Sequence, residues 1–508
     1  MIDNEPSYAN VPDTSSGRMS SSSRKLIYIV LICVLIVPLF WLSQPATQGS
    51  NGAKGQRGGV LAAYREANHL SQTDLGQIDP TSETIRFCTL GMRGPAGALL
   101  WLEAQEEQKK KDWTQLRATL EQISKLQPHS IHVWRYQAWN ISYNVSVAFD
   151  DYHDKYYWVI EGIKYMLKGV NLNPQEPRLA WDMGWFVAHK IGRADEAKQY
   201  RRLFAKDDDF QQIALPPEGG PANLVLSDNW HVGKAWFLSS ENRVDERHPV
   251  KGMAEAIFYS DAPMCQYYYA ENLEKDGHFD EAALFAWHQA ATDWFKYGER
   301  EFPQTDYKPV QLNKREYFEA EAQKQSDKID AMGPGVRARI LKEKRAKLTA
   351  DQRNAVDTPL EKRTPDQSKI AYDLEEELKV TDEAVARALP LPQKGKDEAI
   401  KLARYAKECR DMAKYIDRER KMVNFDFWKM RADAEQTQAM LDARQYTYQA
   451  EAALRIADLV KAKNLYHKSF GMWRIVLDKF PDFKDDPSIK GDLLDMLHRY
   501  MRCLEHIG

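Results

Sequence analysis

Between residues 113 and 126 the chain reads WTQLRATLEQISKL, with Trp113, Leu116, Leu120, Ile123 and Leu126 recurring at intervals of three and four. That period draws one apolar stripe along a helix, and Pro128 ends it. The same stepping returns near the C-terminal end in Leu465, Ser469, Met472 and Val476, with Tyr466, Phe470 and Trp473 beside them. No stretch sustains the alternation of a strand, so the predicted fold class is all-α. Residues 26–42 break the pattern, because LIYIVLICVLIVPLFWL has 17 apolar residues, no charge and no polar face. At ~1.5 Å per residue the run covers roughly 26 Å, which predicts a single N-terminal transmembrane helix over 25–42. Arg18, Arg24 and Lys25 flank its start. A basic flank faces the cytoplasm, so the expected site is the cytoplasmic membrane, with the N-terminus inside and the bulk of the chain outside.

The chain is 508 residues long, too long for one core. The polar, Ser-rich residues 1–24 read as a disordered cytoplasmic tail and 43–83 as a flexible linker. Tryptophan divides the rest: 11 of 14 lie between Trp101 and Trp294, and none lies between 295 and 427. Large rings need buried neighbours, so 84–307 is predicted as an aromatic-rich helical domain. Residues 308–420, rich in Ala, Glu, Lys and Arg, are predicted as a charged helical connector, and 421–508 as a C-terminal helical region.

Charge and cysteine narrow the chemistry. With 71 basic and 74 acidic residues the net charge is −3, and no nucleic-acid partner is expected. The five cysteines at 33, 88, 265, 409 and 503 form no CxxC pair. They read as buried hydrophobes rather than metal ligands or a disulfide framework.

Two segments share a Lys-x-Gly-x-x-Asp-Glu-Ala core: KIGRADEAKQYRRLF at 190–204 and KDGHFDEAALFAWHQA at 275–290. A glycine closes one helix, a short turn follows, and acidic residues open the next. Pro174 is followed ten residues later by Gly184, and Pro128 ten residues later by Ala138. These features resemble tetratricopeptide repeats, which place small residues where paired helices touch. The resemblance implies degenerate α-α hairpins of solenoid type. WLEAQEEQKKKDWTQL, AWNISYNVSVAFDDYHDKYYWVIEGIKYMLKG and VNFDFWKMRADAEQTQAML are further similar to a family of large bacterial membrane-anchored proteins with such helices. Some members carry an "iron responsive element" name, and the family brings no activity to carry over.

Two clusters carry candidate chemistry. Asp150, Asp151, His153 and Asp154 fall within five residues, and on one helix Asp150 and Asp154 share a face. With His129 or His132 they would make a metal-dependent enzyme. Carboxylate bundles, however, draw Glu-x-x-His pairs from other helices, and this sequence has none. Acids at a helix start also cap amides and favour its dipole, so the preferred reading is structural. His231, Lys234, Ser260, Asp261 and Cys265 supply a nucleophile and base by type alone, without a Gly-x-Ser-x-Gly elbow.

The expected function is a membrane-anchored scaffold that presents a helical surface to a protein or peptide partner. The lipid bilayer is met through 25–42, and neither catalysis, cofactor nor metal is expected. The partner-binding candidates are Trp134, Trp139, Trp158, Trp181, Trp185, Trp230 and Trp236. The alternatives are the metal enzyme and a purely structural envelope component.

Overall fold

A computed structural model describes residues 25–32, 34, 35, 38, 60, 93–221, 224–244, 252–302 and 308–507. Among them the one extended pairing is an antiparallel bridge between Phe302 and Val310, and the remaining regular structure is helical. The chain forms two compact units, residues 1–134 with 168–175, and 135–167 with 176–508.

In the first unit, α1 (Arg93–Lys110) and α2 (Trp113–Leu126) are joined by Lys111 and Asp112. Lys111 takes a left-handed φ of 58°, and the Asp112 carboxylate caps α2 by accepting from the Gln115 amide at 3.1 Å. The stripe read from the sequence is the buried face: Leu116, Leu120 and Ile123 cluster with Ala104 and Val133. Trp134 donates its indole N–H to the Pro128 carbonyl at 2.8 Å, and Asn173 donates to the same oxygen at 2.9 Å. A Cβ on Gly169 would lie 2.5 Å from the Trp134 ring, so only glycine admits the ring there.

Along the chain come α3 (Ile131–Trp139), α4 (Tyr152–Leu172), α5 (Pro177–Trp185), α6 (Ala197–Phe204) and α7 (Asp208–Gln211). Both α3 and α5 continue into π-helical turns, Asn140–Val145 and Phe186–Lys190. After them follow α8 (Asn229–Arg243), α9 (Glu255–Phe258), α10 (Asp261–Lys275) and α11 (Glu281–Glu299). The second unit's core is built of rings, with Trp230, Trp236, Trp287 and Trp294 each nearly inaccessible to solvent. Helix α8 crosses the second π turn at close range. A Cβ on Gly233 would sit 2.6 Å from that of Ala188, and the Asn229 amide donates to the Val187 and Ala188 carbonyls at 3.3 and 3.0 Å. A wide turn strands carbonyls from their usual partners, and Asn229 supplies one.

The charged middle comprises α12 (Arg315–Met332), α13 (Val336–Ala346), α14 (Ala350–Asp357), α15 (Pro365–Leu378), α16 (Asp382–Ala388) and α17 (Gln393–Met422). Ile329, Val336, Val385, Leu389 and Ala403 form its own apolar cluster. Asp382, only 2% exposed, accepts from Arg337 at 2.7 Å, Arg410 at 2.5 Å and Ser326 at 2.8 Å. Arg420 is equally buried and chelates Glu316 at 2.6 and 2.8 Å. The chain ends in α18 (Phe425–Glu435), α19 (Gln438–Arg455), α20 (Leu459–Lys479) and α21 (Pro487–Ile507), which share a cluster around Tyr466 and Trp473.

The all-α class stands, and the membrane anchor does not. Among the described residues no helix is long and apolar enough to cross a membrane. The longest described stretch of the 25–42 run, residues 25–32, covers roughly 12 Å at ~1.5 Å per residue, well short of the ~30 Å hydrocarbon core. Corrected with it are the single-pass topology, the lipid bilayer as partner through 25–42, and the placement at the cytoplasmic membrane. Residues 33, 36, 37 and 39–42 of that run lie outside the described residues, as do the tail 1–24 and, apart from Val60, the linker 43–83.

Candidate functional site

The acidic cluster at 150–154 lies on the exposed N-terminal turn of α4. One oxygen of Asp151 accepts from the His153 amide at 2.7 Å and lies 2.9 Å from its Nδ1. Those hydrogen bonds, the backbone one foremost, hold the Asp151 carboxyl below its usual range. The carboxylate is therefore committed to capping. Among the described residues no group of three or more His, Cys, Asp or Glu side chains could hold a metal ion. The metal-dependent alternative through Asp150, Asp151, His153 and Asp154 is corrected on that ground. His132 is exposed on α3, and His129 lies against Asn173 at 3.1 Å.

The second cluster is separated into structural roles. His231 accepts the Val225 amide at 2.9 Å, and Lys234 donates to Gln266 and Asp293 at 2.8 and 2.5 Å. Ser260 donates to the Ile257 carbonyl, and Asp261 accepts the Trp181 indole N–H at 3.0 Å. Cys265 is buried, and burial pushes its thiol well above its usual range, away from the nucleophilic thiolate. Of the candidate tryptophans, Trp139 and Trp185 are exposed and Trp158 is half-buried. Trp134, Trp181, Trp230 and Trp236 belong to cores.

A cavity of about 470 Å³, lined by aromatic and charged side chains, opens in the second unit where the end of α10 meets α18, α19 and the start of α21. Gly277, at φ 93°, turns the chain directly after α10, and Asp280 caps α11 through the Ala282 and Ala283 amides. The turn brings Phe279 to 5.5 Å from the Tyr448 ring, and these two rings with Phe427 line the apolar part of the cavity. A Cβ on Gly277 would approach the Tyr448 hydroxyl to 2.9 Å.

The remaining lining is charged. Arg431 bridges Glu271 at 2.6 Å and Glu435 at 3.5 Å, while Arg444 reaches Glu435 at 2.7 Å and Asp492 at 3.8 Å. Glu451 pairs with Arg499, and Lys275 with Glu271 at 3.3 Å. Burial pushes the Glu271 carboxyl up, but Arg431 and Lys275 outweigh it and hold the group below its usual range. Glu274 differs. It is 9% exposed, accepts the Trp287 indole N–H at 2.8 Å, and makes no ion pair among the described residues. Burial first, then the nearby Glu435 charge, raise its carboxyl above the usual range. Behind it, Glu435 Oε2 and Arg444 Nε are buried without a hydrogen-bond partner among the described residues. The arrangement is a paired charge network with one acid, Glu274, facing the cavity without a direct ion pair, its charge offset only in part by Arg444 and Arg431. Chemically, it can receive a positive group against aromatic walls.

None of these site residues stands out in the sequence. Glu271 and Glu274 stand one helical turn apart, as do Arg431 and Glu435, a spacing that paired charges on any helix share. The usable signal was charge embedded among Trp287, Phe427 and Trp428, since an aromatic-rich helix buries what lies on its ring-bearing side. No family model, curated protein or solved structure matches this chain. The resemblances to tetratricopeptide repeats and to the large bacterial membrane-anchored family are corrected accordingly, and an all-helical chain of tandem helices is what stands.

Proposed function

We propose that this chain is a binding protein whose cavity at the end of α10 accepts the cationic side chain of an arginine or lysine in a partner peptide. The observation that carries the reading is Glu274, a buried carboxylate at the cavity with a neutral indole as its hydrogen-bond donor. Burial and the Glu435 charge make this acid costly to ionise even with Arg444 and Arg431 nearby, and an incoming guanidinium or ammonium in direct contact supplies further compensation in a low-dielectric setting. Phe279, Tyr448 and Phe427 offer ring faces and edges to the alkyl stem and the cation.

The test is calorimetric titration with the tripeptide Gly-Arg-Gly and its citrulline counterpart, which has the same shape without the charge. The arginine peptide is expected to bind, and citrulline to bind at least roughly tenfold more weakly, since a charged hydrogen-bonded pair contributes about 1.5–3 kcal/mol. Glu274→Gln keeps an acceptor for Trp287 but loses the charge. It is expected to equalise the two peptides while thermal stability holds. Equal binding of both peptides to the unaltered protein, or no binding of either, overturns the reading.

A further inference from the structure

Helix α21 carries two apolar stripes where an end helix needs one. Ile489, Met496 and Cys503, at intervals of seven, are buried in the C-terminal cluster. Leu494, Leu497 and Met501, at intervals of three and four, are exposed at 53%, 41% and 47%. A helix apolar on two sides is built to be covered on both. Where the second stripe meets α20, an open groove of about 700 Å³ is floored by Phe470, Trp473, Leu477 and Leu493. The apolar lining runs from Phe470 to Leu477 on α20 and from Leu493 to Leu497 on α21, between one and two helical turns on each. That length suits anchors at i, i+3 or i+4, and i+7 of an incoming helix.

The rim has a sign. Arg474, Lys484 and Lys490 stand around the groove against a single acid, Asp478. Their pairs are loose and wet: Arg474 and Lys484 share Asp478 at 4.0 and 3.8 Å, and Lys490 reaches Asp485 at 3.7 Å. Such exposed pairs hold little energy and yield readily to better-placed carboxylates. A second copy of this chain docking groove to groove would bring two basic rims together, which like-charge repulsion opposes.

We infer that the groove between α20 and α21 is a docking site for an amphipathic helix of a partner protein whose apolar stripe is bordered by Asp and Glu. The occupant continues the stack α19–α20–α21 by one helix, placing its leucine-like anchors on Phe470, Leu477, Leu494 and Leu497 and its acids on the basic rim. This inference does not rest on the cation cavity, because Glu274 lines that cavity and not the groove.

The probe is a fluorescein-labelled amphipathic peptide of about 18 residues, with Leu at helical spacing and Glu on both borders. Its control carries Lys at every Glu position. Anisotropy titrations at low salt are expected to show the Glu peptide binding at least roughly tenfold tighter than the Lys peptide, with the gap closing as salt rises. Arg474→Glu with Lys490→Glu reverses that preference, and Leu494→Glu abolishes binding of both. All three positions are exposed, so circular dichroism should be unchanged. Glu274→Gln leaves the peptide affinity unaltered, which separates this result from the fate of the cation cavity. The inference is overturned if neither peptide binds, if both bind equally, or if sedimentation shows a dimer that Leu494→Glu dissolves.

Discussion

Asp261 shows how burial, rather than partnership, sets protonation in the aromatic core. Its carboxyl opens α10, lies 4.0 Å from His189 Nε2, and accepts the Trp181 indole N–H. Burial pushes Asp261 up to about 7, with the Trp181 bond and Arg178 offsetting only part of the shift. Burial and Arg193 push His189 down to about 4. Near pH 6 the two groups therefore face each other largely neutral, and their proximity is not an ion pair. Because the folded carboxyl is protonated where the unfolded one, at 3.8, is not, folding takes up a proton between about pH 4 and 7. The stability tied to this acid is full below that window and falls by about 1.4 kcal/mol per pH unit across it. Asp261→Asn keeps an acceptor for Trp181 and removes the slope. Urea unfolding is expected to show the variant more stable than the parent at pH 8, with the gap narrowing toward pH 4. An unchanged gap between pH 5 and 8 contradicts the assignment.

At the same scale, the sequence was readable where side-chain chemistry is local. Of the acids at 150–154, Asp151 caps a helix through the amide two residues on, and such a role needs no knowledge of the fold. Glu274 was not readable, because its character comes from Trp287 and Glu435, placed around it by other helices.

Between elements, small residues decide how closely helices approach. Gly184, Ala188 and Gly233 meet where α5 and its π turn cross α8, and a Cβ on Gly184 would lie 3.1 Å from the Gly233 carbonyl oxygen. The spacing that singled out Gly184 marks a helix contact even though the repeat resemblance behind it does not stand. Helix α2 was legible to the residue, since an amphipathic stripe and a proline bound it without outside help. The π turns at 140–145 and 186–190 were not. A turn closed at i+5 uses the same residue types as one closed at i+4, and here tertiary partners such as Asn229 take up the carbonyls. Gly233→Ala sets a methyl 3.2 Å from the Ala188 Cα, a backbone atom that cannot rotate away. The variant is expected to lose about 1–3 kcal/mol, read as a lower urea midpoint with an unchanged slope.

Across the second unit, contacts distant in sequence close the core. The Trp294 indole donates to the Phe425 carbonyl at 3.1 Å, and the Tyr267 hydroxyl donates to the Trp428 carbonyl at 2.5 Å. Phe425 also stacks on Trp294, and Trp428 meets the Tyr267 ring edge-on. The chain thus leaves the aromatic core after Val310 and Leu312, forms the charged helices α12–α17 with their own cluster and buried ion pairs, rejoins the rings with Met412 and Ile416 of α17, and closes on them through α18. Composition marked the charged stretch as helical. The return was invisible to it, because pairing across more than 100 residues leaves no local period. If α18 is the seal, a chain ending at Gln436 retains the covered ring core, loses α19–α21, and bares the Phe427, Met430 and Ala434 face of α18 that packs on them. A chain ending at Asn424 lacks Phe425 and Trp428 and leaves Tyr267 and Trp294 without their acceptors. Near-ultraviolet circular dichroism is expected to show ordered aromatic signal in the longer fragment and its collapse in the shorter, with the dye ANS binding the latter far more strongly. Equal aromatic order in both fragments would mean that the rings pack without α18, and its contacts would then be a cover rather than a closure.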